Sequence, residues 1–210
     1  MGSAMPGAGW LTRSRTDVPP GDFWLGERER AVLAGLRMPR RRDDWRLGRW
    51  TAKAALRAWS GSEPEVLAAP DGAPQAAGLP GVHLSLSHRA GRGLAVVGDE
   101  PVGCDLEWVE PRSSAFAREW LTAGERAWVA EGDAPERANL VWCAKEAAAK
   151  VRRAGLRLDV RRTEVRPAGA GFAVHDPAAG TLHGWWWRDG PYVVAVAAAQ
   201  RPLPELRPLL

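Results

Sequence analysis

The sequence predicts an α+β fold built as two similar halves, on three observations. Helical spacing holds from Glu27 to Trp59, strand-like runs follow from Val82 to Glu107, and the same order of helices then strands returns from Pro111 to Ala198. Such block order, unlike strict alternation of strand and helix, marks an α+β chain. The halves meet near residue 103, so the expected division is 10–102 for the first half, 103–201 for the second, and a poorly ordered tail over 202–210.

Met1 to Gly9 are small and patternless and read as a frayed end. Glu27 to Arg37 and Asp43 to Trp59 read as helices, the second carried by Trp45, Leu47, Trp50, Ala54, Ala55 and Trp59 and stopped by Gly61. Four prolines between Glu63 and Gly81 predict an irregular connection. Val82 to Leu86 alternates and Gly93 to Val97 is a short apolar run, which predicts paired strands, with a third over Val102 to Glu107. Thr122-Ala123-Gly124-Glu125 is a capping box opening a helix through Trp128, and another helix runs from about Pro135, at its first turn, to Arg153. Strands are expected over Thr163 to Arg166, Gly171 to His175, Thr181 to Trp187 and Tyr192 to Ala198, with a hairpin at Asp189-Gly190. Strand alternation splits Trp185, Trp186 and Trp187 between two faces, with core packing the expected role.

The 210 residues are 45% hydrophobic and 26% charged, as in an ordinary soluble globular protein. No apolar run approaches the roughly 20 residues of a membrane helix, and no export signal is present, so the expectation is a cytoplasmic protein without membrane contact. Cys104 and Cys143 form neither a disulfide framework nor a zinc-finger pair. A net charge of +4 favours an anionic partner without selecting one, and Arg40-Arg41-Arg42, Arg152-Arg153 and Arg161-Arg162 each fit a solvated surface.

Two segments stand apart. Gly103-Cys104-Asp105-Leu106-Glu107 and Trp142 to Lys150 hold three carboxylates and two of the three lysines, in a chain with 26 arginines. Lysine used this sparingly points to a compact ammonium where a planar fork would not serve. In a strand, Asp105 and Glu107 face the same way, and in a helix Trp142, Glu146 and Lys150 share one stripe with Lys145 on its flank. Taken alone, the first fits a solvated strand face and the second a surface ion pair of about 0.3–0.5 kcal/mol. Together, three carboxylates beside two ammoniums suit a divalent cation bound to a phosphate-bearing ligand.

The combination resembles the signature of the 4′-phosphopantetheinyl transferases, specifically the larger monomeric type that activates surfactin synthetase. Gly-x-Asp-x-Glu at 103–107 and Trp-x-x-Lys-Glu-x-x-x-Lys at 142–150 match its two central motifs, Leu84-Ser85-Leu86-Ser87-His88 its Ser-His element, Gly155-Leu156-Arg157-Leu158 its post-helix segment, and Trp45-Arg46-Leu47-Gly48-Arg49 its N-terminal Leu-Gly segment. The resemblance implies two pseudo-symmetric α+β halves with the active site in the cleft between them. It also implies transfer of the phosphopantetheine arm of coenzyme A to a serine of an apo acyl or peptidyl carrier protein, releasing adenosine 3′,5′-bisphosphate, for nonribosomal peptide or polyketide biosynthesis.

By that resemblance Asp105, Glu107 and Glu146 hold Mg²⁺, or Mn²⁺ in its place. Glu146 and Lys150 are the catalytic pair, with Glu146 also a candidate base for the serine proton. Ser87, His88, Lys145 and Lys150 contact coenzyme A, and the carrier docks near Ser113 to Trp128. The family often has a basic residue where this chain has Ala73 of Gly72-Ala73-Pro74, so Arg40, Arg41, Arg42, Arg49 and Lys53 are candidates to replace that contact, Arg42, Arg49 and Lys53 foremost. A serine hydrolase is excluded for Ser87, which lacks a nucleophile elbow and has His88 as its immediate neighbour. Two other readings are a basic nucleic-acid-binding module, which leaves the carboxylates without purpose, and a carrier-binding family member without catalysis. The expected partners are therefore a carrier protein and coenzyme A, with no nucleic acid, and the protein is expected to be a monomer.

Overall fold

The computed structural model describes residues 7–153, 159–199 and 205–209. In chain order the elements are β1 (Ala8–Ser14), α1 (Glu27–Gly35), α2 (Pro39–Ser60), β2 (Val66–Ala68), β3 (Pro74–Ala76), β4 (His83–Arg89), β5 (Arg92–Gly98), β6 (Val102–Trp108), α3 (Ser114–Trp120), α4 (Ala123–Ala130), α5 (Ala134–Val151), β7 (Glu164–Ala168), β8 (Gly171–Asp176), β9 (Gly180–Asp189), β10 (Tyr192–Ala198) and β11 (Leu206–Pro208). They divide into two compact units, Met1–Val102 with Pro204–Leu210, and Gly103–Leu203. The fold is α+β.

In the first unit the sheet order is β11-β1-β5-β4, with β1 antiparallel to β5, β5 antiparallel to β4, and β11 parallel to β1. Helix α2 starts on Pro39, where a missing N–H costs nothing, and stops at Gly61, whose φ of 72° suits a residue without Cβ. It packs against β5 because Gly93 has no side chain: a Cβ there would lie 2.5 Å from Thr51 Oγ1. The apolar faces enclose Leu11, Ala52, Ala55, Leu56, Val66, Leu84 and Val97.

The second unit has the sheet order β6-β10-β9-β8-β7. The capping box of α4 is complete, with Thr122 Oγ1 accepting from Glu125 N and Glu125 Oε2 accepting from Thr122 N. Asp133 caps α5, accepting from Glu136 N at 3.0 Å. The core gathers Val141, Ala144 and Ala148 of α5 with Phe172, Val174, Val193 and Ala195, and Trp186 packs against it while stacking on Trp128 with ring centroids 5.5 Å apart. The β9–β10 hairpin pairs Asp189 with Tyr192 around Gly190.

Three expectations are corrected. The patternless start holds strand β1, whose residues pair with both β5 and β11. The proline-rich connection contains the β2–β3 hairpin. Leu206–Pro208, expected to be disordered, pairs with Ala8–Trp10, and Leu209 N donates to Trp10 O at 2.8 Å. The first and third depend on partners distant in sequence, so local pattern carries little of them, whereas the short hairpin is a local pairing within the proline-rich stretch. The Gly155 to Leu158 segment lies outside the described residues. No helix among the described residues is long and apolar enough to cross a membrane.

Candidate active site

The acidic strand is brought to the lysine helix by a glycine. A Cβ on Gly103 would overlap the carbonyl oxygen of Ala147 and lie 2.7 Å from Val151 N, so β6 meets α5 backbone to backbone at that point. The next residues of the strand then reach the helix's side chains. Lys150 Nζ donates to Asp105 Oδ1 and to Cys104 O, both at 2.8 Å. Trp142 Nε1, two turns earlier on the same helix stripe, donates to Glu107 Oε1 at 3.2 Å. Glu146 lies between them in sequence and is half-buried.

The electrostatics follow from this crowding. Burial raises the Glu146 carboxyl above its ordinary value, and the negative charges of Asp105 and Glu107 raise it further against the opposing pull of Lys150. For Lys150, burial alone would favour loss of the proton, but Asp105 and Glu146 outweigh it and hold the ammonium firmly charged. Glu107 carries a second support that sequence spacing did not reveal. Arg112 Nη2 donates to Glu107 Oε2 at 3.1 Å, Arg112 Nε donates to Asn139 Oδ1 at 2.7 Å, and the guanidinium lies 4.9 Å from the Phe116 ring centroid. Asn139 is fixed in turn by donating to Glu110 O and Pro135 O.

By donor chemistry these residues fit a hard divalent cation, since all three are carboxylates and both Asp105 and Glu107 lie close enough to act on Glu146. Among the described residues, however, no three His, Cys, Asp or Glu side chains stand gathered as a ligand group. Asp105 is paired with Lys150 and Glu107 with Arg112.

Lys145 is not beside them. Its side chain is 0% exposed, pairs with the equally buried Glu125 at 2.9 Å, and donates to Trp120 O at 2.8 Å and Val160 O at 3.2 Å. All three ammonium protons are used in the core, so the expected phosphate contact by Lys145 is corrected to a structural one. Burial lowers its proton affinity and Glu125 partly restores it. Lys53 repeats this arrangement: it is 5% exposed, pairs with fully buried Glu29 at 3.1 Å and donates to Pro64 O at 3.0 Å. It too is corrected from ligand contact to core ion pair.

Two family models decide the family. Residues 101–197 match the 4′-phosphopantetheinyl transferase superfamily, and residues 29–98 match the 4′-phosphopantetheinyl transferase N-terminal domain. The chain belongs to the 4′-phosphopantetheinyl transferases. No curated protein matches it. Transferases of this family use coenzyme A as substrate and move its phosphopantetheine onto carrier proteins. The matched superfamily segment contains Asp105, Glu107, Glu146 and Lys150.

The transferase's other candidate contacts lie in the first unit. His88 is exposed and Ser87 half-buried at the end of β4, and the His88 ring lies beside Gly48 of α2. Arg49 stacks its guanidinium over Trp45 at 4.7 Å, and its Nε is buried with no hydrogen-bond partner among the described residues. Burial lowers its proton affinity, partly offset by Glu29. Arg42 is committed elsewhere: Nη1 donates to Leu33 O at 2.6 Å and Leu36 O at 3.2 Å, closing the end of α1. Unlike Arg42 and Lys53, Arg49 is tied into neither a helix end nor a core ion pair.

Proposed function

We propose that the chain is a transferase of the larger monomeric, surfactin-synthetase-activating type, Mg²⁺-dependent, cytoplasmic, and serving carriers of nonribosomal peptide or polyketide assembly. The observation that carries the chemistry is the convergence of Asp105, Glu107 and Lys150 where β6 meets α5, with Glu146 in electrostatic contact with all three. Asp105, Glu107 and Glu146 would hold Mg²⁺, which would neutralise pyrophosphate charge when bound. Lys150 would bind a phosphate of coenzyme A as a point charge, giving up Asp105 to do so. The carrier serine oxygen attacks the β-phosphorus, the bond to the bridging oxygen breaks, and adenosine 3′,5′-bisphosphate leaves with that oxygen. Glu146, whose proton affinity is raised without metal, is the candidate acceptor of the serine proton. His88, Ser87 and Arg49 are proposed for the nucleotide end.

The test is incubation with coenzyme A, Mg²⁺ and a panel of apo carriers, read by intact mass. The expected result is a gain of one phosphopantetheine on peptidyl or polyketide carriers, its loss on chelation, and a fall of at least about 100-fold in kcat/KM for Glu146→Ala, equivalent to about 2.7 kcal/mol. Transfer only to the carrier of fatty-acid synthesis would defeat the pathway assignment. Undiminished transfer by Glu146→Ala would remove that residue from the site.

A further inference from the structure

We propose that Arg112 is the resident counter-cation of Glu107, and that its charge keeps the free enzyme's affinity for a divalent cation low until coenzyme A is bound. This rests on the reading of Glu107 as a metal ligand. Both strand carboxylates of the site are already matched by a cation, Asp105 by Lys150 at 2.8 Å and Glu107 by Arg112 at 3.1 Å. The three carboxylates proposed as ligands face two positive charges when all are ionised, a small attraction for a lone dication; the more exposed Glu110 carboxylate also lies 3.8 Å from Arg112, where water screens it more than Glu107. The two cations differ in what can displace them. Lys150 is a single ammonium that a phosphate can draw away.

Arg112 is built in: its guanidinium is bonded to Asn139, packed on Phe116, and only 17% exposed. Asn139 is itself held by two backbone carbonyls. A neutral or anionic partner behind a ligand strengthens metal binding by raising its basicity. A guanidinium does the reverse, withdrawing charge from the carboxylate and repelling the dication. The consequence is a site that loads with metal and pyrophosphate together, because coenzyme A brings the negative charge that Arg112 and Lys150 cancel.

Mn²⁺ binding to the whole protein, followed by the paramagnetic resonance of free Mn²⁺ with and without coenzyme A, tests this. Arg112→Gln removes the charge and keeps a hydrogen-bond donor for Glu107, while Arg112→Lys keeps the charge and loses the fork. Without coenzyme A, Arg112→Gln should bind Mn²⁺ about tenfold more tightly than the native protein, with Arg112→Lys close to native. Should the Gln variant not fold, Arg112→Met takes its place with the same expectation. Native binding with equal or weaker affinity in the charge-removed variant overturns the proposal alone. Absence of Mn²⁺ binding by every protein, even with coenzyme A, overturns the metal reading and the proposal with it.

Discussion

The two units share a buried scaffold and differ in what is mounted on it. In the first, Glu29 sits at the third position of α1, accepts from Gly26 N and Val66 N, and pairs with Lys53; Arg30 donates to Leu25 O. In the second, Glu125 sits at the third position of α4, accepts from Thr122 N and Val165 N, and pairs with Lys145; Arg126 donates to Leu121 O. The sequences repeat accordingly, Leu25…Glu29-Arg30 against Leu121…Glu125-Arg126, and Trp50-Thr51-Ala52-Lys53 against Trp142-Cys143-Ala144-Lys145. Beyond the shared lysine they part. The positions held by Glu146 and Lys150 in the second unit are Ala54 and Ala58 in the first. The indole N–H of Trp142 meets Glu107, whereas that of Trp50 is buried with no acceptor among the described residues. The repeated lysine is buried in both units, and the residues proposed for the chemistry lie one and five positions after it in the second.

The largest expected effect comes from breaking that shared scaffold. Removing one partner of a buried ion pair leaves the other charge uncompensated, so Lys145→Met should cost about 3–5 kcal/mol in urea unfolding, with Lys53→Met at the lower end of about the same range. Lys53 is the weaker case because it makes one carbonyl bond where Lys145 makes two. A small stability loss with a large rise in KM for coenzyme A would instead restore Lys145 as a phosphate ligand.

The next effect tests what only the second unit has, the close crossing of β6 on α5. Gly103→Ala must push the strand off a backbone carbonyl, at about 1–3 kcal/mol or more, and should lower transfer activity by displacing Asp105 and Glu107. Melting and kcat measured together check both halves of that statement.

The smallest effect concerns charge alone. In the metal-free protein Glu146 binds its proton more tightly folded than unfolded, because its carboxyl is raised above the ordinary 4.5. That contribution is complete below about pH 4.5 and is lost as pH rises through the folded value. Glu146→Gln should therefore melt with the native protein near pH 4 and about 1–3 °C above it at pH 7, a gap that Mg²⁺ with coenzyme A should reverse.

These differences also explain what sequence spacing could and could not reveal. The approach of Asp105, Glu107, Glu146 and Lys150 to one another follows from spacing, because each pair sits on one element whose period places its members on the same side. Five residues along a helix turn Lys145 about 140° away from Lys150, onto the face toward Glu125, which the flank position in the sequence does not convey. The Trp-x-Ala-Lys repeat was present in the chain and would have identified both core lysines. Arg112 carried no signal of its own: it follows Pro111 in a non-helical stretch and is oriented by Asn139, which is 27 residues further on. Strands β1 and β11 were hidden because their pairing spans nearly the whole chain.

That last pairing has a consequence for synthesis. Domains generally fold in the order in which they leave the ribosome. Here the outer strand of the first unit's sheet is encoded after the entire second unit, and Leu209 fills the space over Gly9, where a Cβ would lie within 2.7 Å of its Cγ. During translation the amino-terminal half must therefore wait with the β1 edge uncovered while residues 103–203 emerge, and it closes only when the last strand arrives.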